Sequence, residues 1–213
     1  MNITFHKVMP TPLASIQHGE KSIWGSQTEL NPGERILLNA SSGKGKSTFT
    51  FTSIGLRKDY EGQITYDGKD VKSYTPDDWT DIRQTKISVV FQDLQLFPNL
   101  SVKDNLMLKN GLQNVFTEEQ LKEMLATLGI ADKWEQHCGL LSMGQQQRVA
   151  IIRALCQPFE WLILDEPFSH LDKANAEIAL KMINDRCDSL NAGFVLTSLG
   201  EDYGYNYSRE LNL

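Results

Sequence analysis

Four short, unbroken apolar runs punctuate the chain: Ile36-Leu37-Leu38, Val89-Val90-Phe91, Leu162-Ile163-Leu164 and Phe194-Val195-Leu196. They lie in segments 35–39, 87–92, 161–165 and 194–198, each bounded by polar residues or chain breakers. A strand with one wet face alternates apolar and polar positions, whereas an unbroken run means that both faces are covered. The pattern therefore predicts a parallel sheet buried between two layers. The segments close on Asn39, Gln92, Asp165 and Ser198. A polar residue is often simply what ends a strand. In an open parallel sheet, however, ligands gather beyond the carboxyl ends of the strands, which is where this row of side chains would stand.

Between these runs the period changes. Residues 117–128 read as a helix, with Thr117 as N-cap, Gln120 completing a capping box and Gly129 as its stop. Residues 174–190 read as another, with Ile178, Met182 and Ile183 on one face. The stretch 94–141 is expected to be mostly helical and to separate two strands of the sheet. Residues 1–30 and 62–66 look β-rich, with turn signals at Asn31-Pro32-Gly33 and Asp67-Gly68. The expected architecture is α/β: a core with a mostly parallel sheet, an N-terminal antiparallel β subdomain and an inserted helical subdomain. It forms one domain over 1–213, with the core at about 1–93 and 155–213 and the helical part at about 94–154.

Composition narrows the function classes. The 213 residues are 40% hydrophobic and 23% charged, an ordinary globular balance. Lysine plus arginine number 21 against 27 acids, a net charge of −6, so non-specific nucleic-acid binding is not expected. Cys138, Cys156 and Cys187 have no metal-knuckle or CxxC spacing and read as free thiols of a reducing compartment. No apolar run is long enough to span a bilayer, and residues 1–19 do not read as a signal peptide. The expected location is cytoplasmic, with no direct membrane insertion and any membrane role exercised through a partner.

Candidate chemistry begins at Ala40-Ser41-Ser42-Gly43-Lys44-Gly45-Lys46-Ser47-Thr48, which follows the strand at 35–39. The segment matches the phosphate-binding pattern GxxxxGK[ST] except that Ala40 stands at the first glycine. Glycines let backbone N–H groups turn inward around an anion, and the dipole of the following helix adds positive potential. Lys46 is placed to reach the β- and γ-phosphates and Ser47 to ligate Mg²⁺. Alanine tolerates positive φ poorly, so Ala40 is expected to keep φ negative. The strand at 161–165 ends in Asp165-Glu166. Asp165 would hold Mg²⁺, mostly through water, and Glu166 would polarise an attacking water. Further along, Ser142 and Gln145 form an S-x-x-Q capping box that opens a helix running to about Cys156.

Leu141-Ser142-Met143-Gly144-Gln145 resembles the LSGGQ signature of ATP-binding cassette (ABC) ATPases, and Gln147-Arg148-Val149-Ala150-Ile151-Ile152-Arg153-Ala154-Leu155 resembles the helix that follows it. Val90-Phe91-Gln92-Asp93 with Leu96-Phe97-Pro98 resembles the family's Q-loop, and Ser169-His170-Leu171-Asp172 its D-loop. These motifs occur in family order over nearly the whole chain, and the resemblance implies a P-loop NTPase core. The resemblance implies a dimer of cassettes, homodimeric by expectation, that sandwiches two ATP molecules head to tail. In it the phosphate loop of one subunit faces Ser142, Gly144 and Gln145 of the other, and Gln92 links Mg²⁺ to the helical subdomain. The surface near residues 97–100 would receive a helix of a membrane permease. The helical region loosely resembles the subgroup that serves lipoprotein release or macrolide export. The alternative is a nucleotide-switched dimerisation module with weak hydrolysis and no transport role. A DNA-repair or chromosome-organising head is not expected, because no coiled-coil insertion interrupts the chain.

The chain departs from the family pattern in three further places. Met143 replaces a signature glycine. Ser198 stands where the resemblance places a catalytic switch histidine, so hydrolysis is expected to be slow. No adenine-stacking aromatic is evident upstream of the loop: Ile16 or His18 lies near its place, Trp24 sits too close, and weak discrimination for adenine is expected.

Overall fold

The computed structural model describes residues 1–19, 22–41 and 43–213. Along the chain run strands β1 (Ile3–Pro10), β2 (Gln27–Leu30) and β3 (Arg35–Asn39), then helix α1 (Lys46–Ser53). Strands β4 (Tyr60–Tyr66) and β5 (Lys69–Asp70) follow, then α2 (Pro76–Thr85) and β6 (Ile87–Val90). Next come α3 (Val102–Asn110), α4 (Glu118–Thr127) and α5 (Met143–Leu155). The chain closes with β7 (Trp161–Asp165), α6 (Lys173–Leu190), β8 (Gly193–Ser198) and β9 (Arg209–Asn212).

Two sheets form. The larger has strand order β6-β7-β8-β3-β9 and is parallel throughout; the smaller, β2-β1-β4-β5, is antiparallel. The unbroken apolar runs are explained by the pleat, because successive side chains serve opposite faces. Leu37, Leu162, Leu164, Phe194 and Leu196 enter a core shared with α5 and α6. Ile36, Leu38, Trp161, Ile163 and Val195 enter a second core shared with the antiparallel sheet and α1. Each fully buried aliphatic or aromatic side chain contributes about 1.5–3 kcal/mol, and both layers are thereby fastened to one sheet.

Helix boundaries follow the expected chemistry. Thr117 caps α4 in a capping box with Gln120, and Ser142 caps α5 in one with Gln145. The segment 94–141 is less helical than its sequence suggests: α3 and α4 are its α-helices, joined by turns and short 3-10 pieces. Strand β6 also stops at Val90, so Phe91 and Gln92 leave the sheet two residues earlier than predicted. Helix α5 contacts α3 and α4 as well as α6 and β6, and the Ser88 hydroxyl donates to Ala154 O at 2.6 Å. It ties the inserted helices to the sheet. Cys138, Cys156 and Cys187 are free and buried. No helix among the described residues is long and apolar enough to cross a membrane.

Candidate functional site

The carboxyl ends of β3, β6, β7 and β8 converge on the N-terminus of α1. This helix differs from its neighbours. Helices α2, α3, α4, α5 and α6 each have a side-chain N-cap, whereas α1 begins at Gly45, which caps nothing with a side chain and holds φ at +102°. Only glycine adopts that backbone freely, and it leaves the first-turn amides of α1 open to an anion. Gly43, Gly45, Lys46, Ser47, Thr48, Gln92 and Glu166 line a cavity of about 250 Å³ over this helix end. Ser41 is exposed beside it and Lys44 donates to Gln17 O at 2.9 Å. Ser42 lies outside the described residues. Ala40 keeps out of the positive-φ region as expected, with its N–H donating to Ser198 O at 3.1 Å.

Lys46 is buried with its Nζ 3.1 Å from Glu166 Oε1, and it also donates to Ala40 O at 3.2 Å. The ammonium is thus folded onto the loop it serves. The Ser47 hydroxyl donates to Gln92 Oε1 at 3.1 Å, a contact made possible by the early end of β6. Asp165 is 2% exposed and accepts from the Thr197 hydroxyl at 3.0 Å. Burial raises its pKa above the usual carboxylate range and the Glu166 charge adds to this, while the Thr197 hydrogen bond and the nearby Ser47 and Thr50 hydroxyls oppose it. Among the described residues no lysine or arginine pairs with it. A buried carboxylate lacking a cationic partner, beside a serine hydroxyl and an amide oxygen, is a hard-oxygen donor set that fits Mg²⁺. Glu166 holds φ at +49°, a conformation unusual outside glycine.

Thr197 and Tyr203 are given no role by the motifs read above, and the signature helix names Gln147 without a contact for it. Thr197 receives the Glu166 N–H at 3.1 Å while donating to Asp165, fixing both acids from the neighbouring strand. Buried Gln147 donates to Glu166 O and Ser169 Oγ, both at 3.2 Å, and accepts the His170 N–H at 3.0 Å. Register explains Thr197: it sits directly beside Asp165 across β7 and β8. Tyr203 lines the cleft beside Glu166 and Ser198.

Ser198 closes β8 beside Asn39 of β3. Its hydroxyl donates to Glu201 O at 2.7 Å and accepts the N–H groups of Gly200 and Glu201, so it serves a local turn rather than the phosphate end of the cavity. Of the residues considered for adenine stacking, Trp24 is buried, with its indole donating to Lys44 O at 3.3 Å. His18 bonds Leu13 O at 2.9 Å, Ile16 packs against the core, and it is Leu13, not an aromatic, that lines the cavity.

Ser142, Gly144 and Gln145 do not line this cavity; they form the capped tip of α5. Gly144 has a packing reason as well: a Cβ there would stand 2.6 Å from His170 O. The tip is flanked by exposed Leu140 and Met143.

A sequence profile of the family described as ABC transporter matches residues 25–169. The lipoprotein-releasing system ATP-binding protein LolD of Novosphingobium aromaticivorans is 35% identical over 161 residues, covering 74% of this chain and 71% of LolD. The macrolide export ATP-binding/permease protein MacB of Syntrophobacter fumaroxidans is 34% identical over 163 residues; the match covers 74% of this chain and only 23% of MacB. The dimeric structure of the bacterial ABC transporter cassette MJ0796 superposes with a TM-score of 0.80 at 25% identity, covering 99% of this chain and 94% of that one. A post-hydrolysis dimer of the same cassette bound to ADP and Pi gives 0.74 at 27% identity, covering 92% and 87%.

Proposed function

Because this chain belongs to the ABC transporter family of ATP-binding cassettes, we propose that it binds ATP with Mg²⁺, closes as a head-to-tail pair and hydrolyses the nucleotide slowly to drive a membrane permease. The observation that carries this reading is the convergence of Lys46, Ser47, Gln92, Asp165 and Glu166 on the one α-helix start, among the described α-helices, that has no side-chain cap. The open amides of α1 receive the phosphates. Lys46 exchanges Glu166 and the loop carbonyls for β- and γ-phosphate oxygens, which frees the Glu166 carboxylate to accept a proton from the attacking water. Ser47, Gln92 and Asp165 would hold the magnesium, whose charge when bound offsets negative charge on the transferring phosphoryl group. The second copy supplies Ser142, Gly144 and Gln145 as a helix tip over the far end of the triphosphate. The dimeric relative, and the exposure of Leu140 and Met143 at that tip, support this step.

A groove of about 330 Å³ supports the permease partner. Exposed Leu56, Phe97 and Leu108 line it, together with Lys109 and Arg153. An apolar floor with cationic walls suits a helix from a membrane protein. One observation favours the alternative of a nucleotide-switched dimer in which hydrolysis is minor: the Ser198 hydroxyl is already committed to Glu201. Co-purification with a membrane protein separates the two readings.

The core of the proposal is tested with Glu166→Gln. In Mg-ATP its mass by light scattering should double from 24.1 kDa, and it should remain monomeric without nucleotide or when Lys46→Ala is added. A chain that binds no nucleotide in the presence of magnesium would sink the reading.

A further inference from the structure

The turn that occupies Ser198 has a second consequence. By bonding Gly200 N–H and both backbone groups of Glu201, it folds the chain back and brings Tyr203 to the cleft of about 470 Å³ that Glu166, Thr197 and Ser198 also line. Tyr203 is fixed there by an edge-on contact with Phe168, their ring centroids 4.9 Å apart. Glu166 and Tyr203 share a further feature: both line this cleft and both hold a left-handed backbone, φ +49° and +53°. Side chains other than glycine seldom adopt this conformation, and it persists where the surrounding structure enforces it, characteristically at working sites. Burial and the charges of Glu201 and Glu166 hold the phenol's proton on. The cleft is therefore lined by a neutral O–H donor as well as by Glu166, the carboxylate proposed to activate water.

We propose that Tyr203 is a positioning residue for hydrolysis, its phenol O–H supplying the hydrogen-bond donor that Ser198, tied to Glu201, cannot offer, and so aligning Glu166 and the water it polarises. The proposal rests on the reading that this chain hydrolyses ATP through Glu166. The phenol keeps its proton throughout. It donates a hydrogen bond and transfers nothing, and the proton from water goes to Glu166.

Tyr203→Phe keeps the ring on Phe168 and removes only the hydroxyl. The expected result is a kcat lower by about ten- to hundredfold, the worth of one hydrogen bond to a charged group, with KM for ATP and ATP-driven dimerisation unchanged. A readout independent of turnover is the titration of Tyr203 followed by NMR of tyrosines labelled with ¹³C at Cζ, without nucleotide. Removing the Glu166 charge with Glu166→Gln should lower its midpoint. Unchanged kcat in Tyr203→Phe overturns the role, as does a loss of kcat that tracks a falling Tm and a rising KM, or a midpoint that ignores Glu166. A wild-type chain that binds ATP and never turns it over would instead sink the hydrolytic reading, and this role with it.

Discussion

Asp165 carries a sharp electrostatic conflict. It ends a strand whose five residues are all buried, and among the described residues no lysine or arginine pairs with its carboxylate. Its pKa is raised in the folded chain, so ionisation costs stability: the cost is full above the folded value, declines as pH falls below it, and is gone only below the ordinary carboxylate value. Asp165→Asn should therefore raise the Tm of the nucleotide-free protein at pH 8, by about 2–4 °C for each kcal/mol relieved, and the gain should shrink as pH falls toward the ordinary carboxylate range, about pH 4. The same variant should lose the extra stability conferred by Mg-ATP. Scanning calorimetry at the two pH values tests both halves, and a lower Tm at pH 8 would refute the assignment. Asp165, Glu166, Lys46 and Ser47 were legible in the sequence because each sits in a contiguous motif whose spacing encodes its chemistry. Thr197, Tyr203 and the contacts of Gln147 were not, because the partners are brought together from other strands and helices: Asp165 and Glu166 lie over thirty positions from Thr197, and the Glu166 carbonyl is 19 residues from Gln147. Ser198 was noticed as a substitution, but its bonds to Glu201 follow from a turn that no pattern announced.

The strands were legible for a plain reason: burial on both faces leaves an unbroken apolar signature, and all four predicted segments form strands of the larger sheet. Helix α3 was harder to read, because two of the side chains it buries are polar. Asn105 and Asn110 lie inside with Val102 and Leu106, which breaks the apolar period. Asn110 joins both backbone groups of Phe116. Asn105 accepts the Phe97 N–H at 2.8 Å and donates to the carbonyls of Phe97 and Ser101, both at 3.0 Å. It acts as a clasp on the loop that lends Phe97 to the proposed permease groove. Asn105→Ala should lower stability by about 1–3 kcal/mol, because the Phe97 backbone groups lose their partner inside the fold. Urea denaturation measures the loss. Hydrogen exchange should show it concentrated at Phe97, with the amides of β7 still protected. A uniform increase across the sheet would mean that Asn105 supports the whole fold rather than this loop.

Seen as a whole, the proposed nucleotide cage has two halves that do not meet within one chain: the amides of α1 with Lys46, and the tip of α5 with Ser142. If two copies close head to tail, every site takes its loop from one chain and its tip from the other, and this imposes a testable arithmetic. Lys46→Ala alone disables both sites of a homodimer, and so does Ser142→Arg, which drives a long cation into the helix tip. Neither variant closes with itself, and in an equal mixture half of all random encounters pair one variant with the other. In each mixed dimer one site pairs the damaged loop with the damaged tip, and the other pairs an intact loop with an intact tip. Two inactive preparations combined in equal amounts should therefore regain about a quarter of wild-type turnover, provided the sites fire independently. The recovery should appear only on mixing and should vanish if both substitutions are placed in one chain and mixed with either variant. Steady-state ATPase rates across a range of mixing ratios measure it. Activity that never rises above that of the separate variants would mean either that each chain completes its own cage or that both sites must be intact for either to fire. Light scattering of the same mixtures in Mg-ATP separates these outcomes, because only a shared cage makes ATP-dependent dimers depend on Ser142 of the opposite copy.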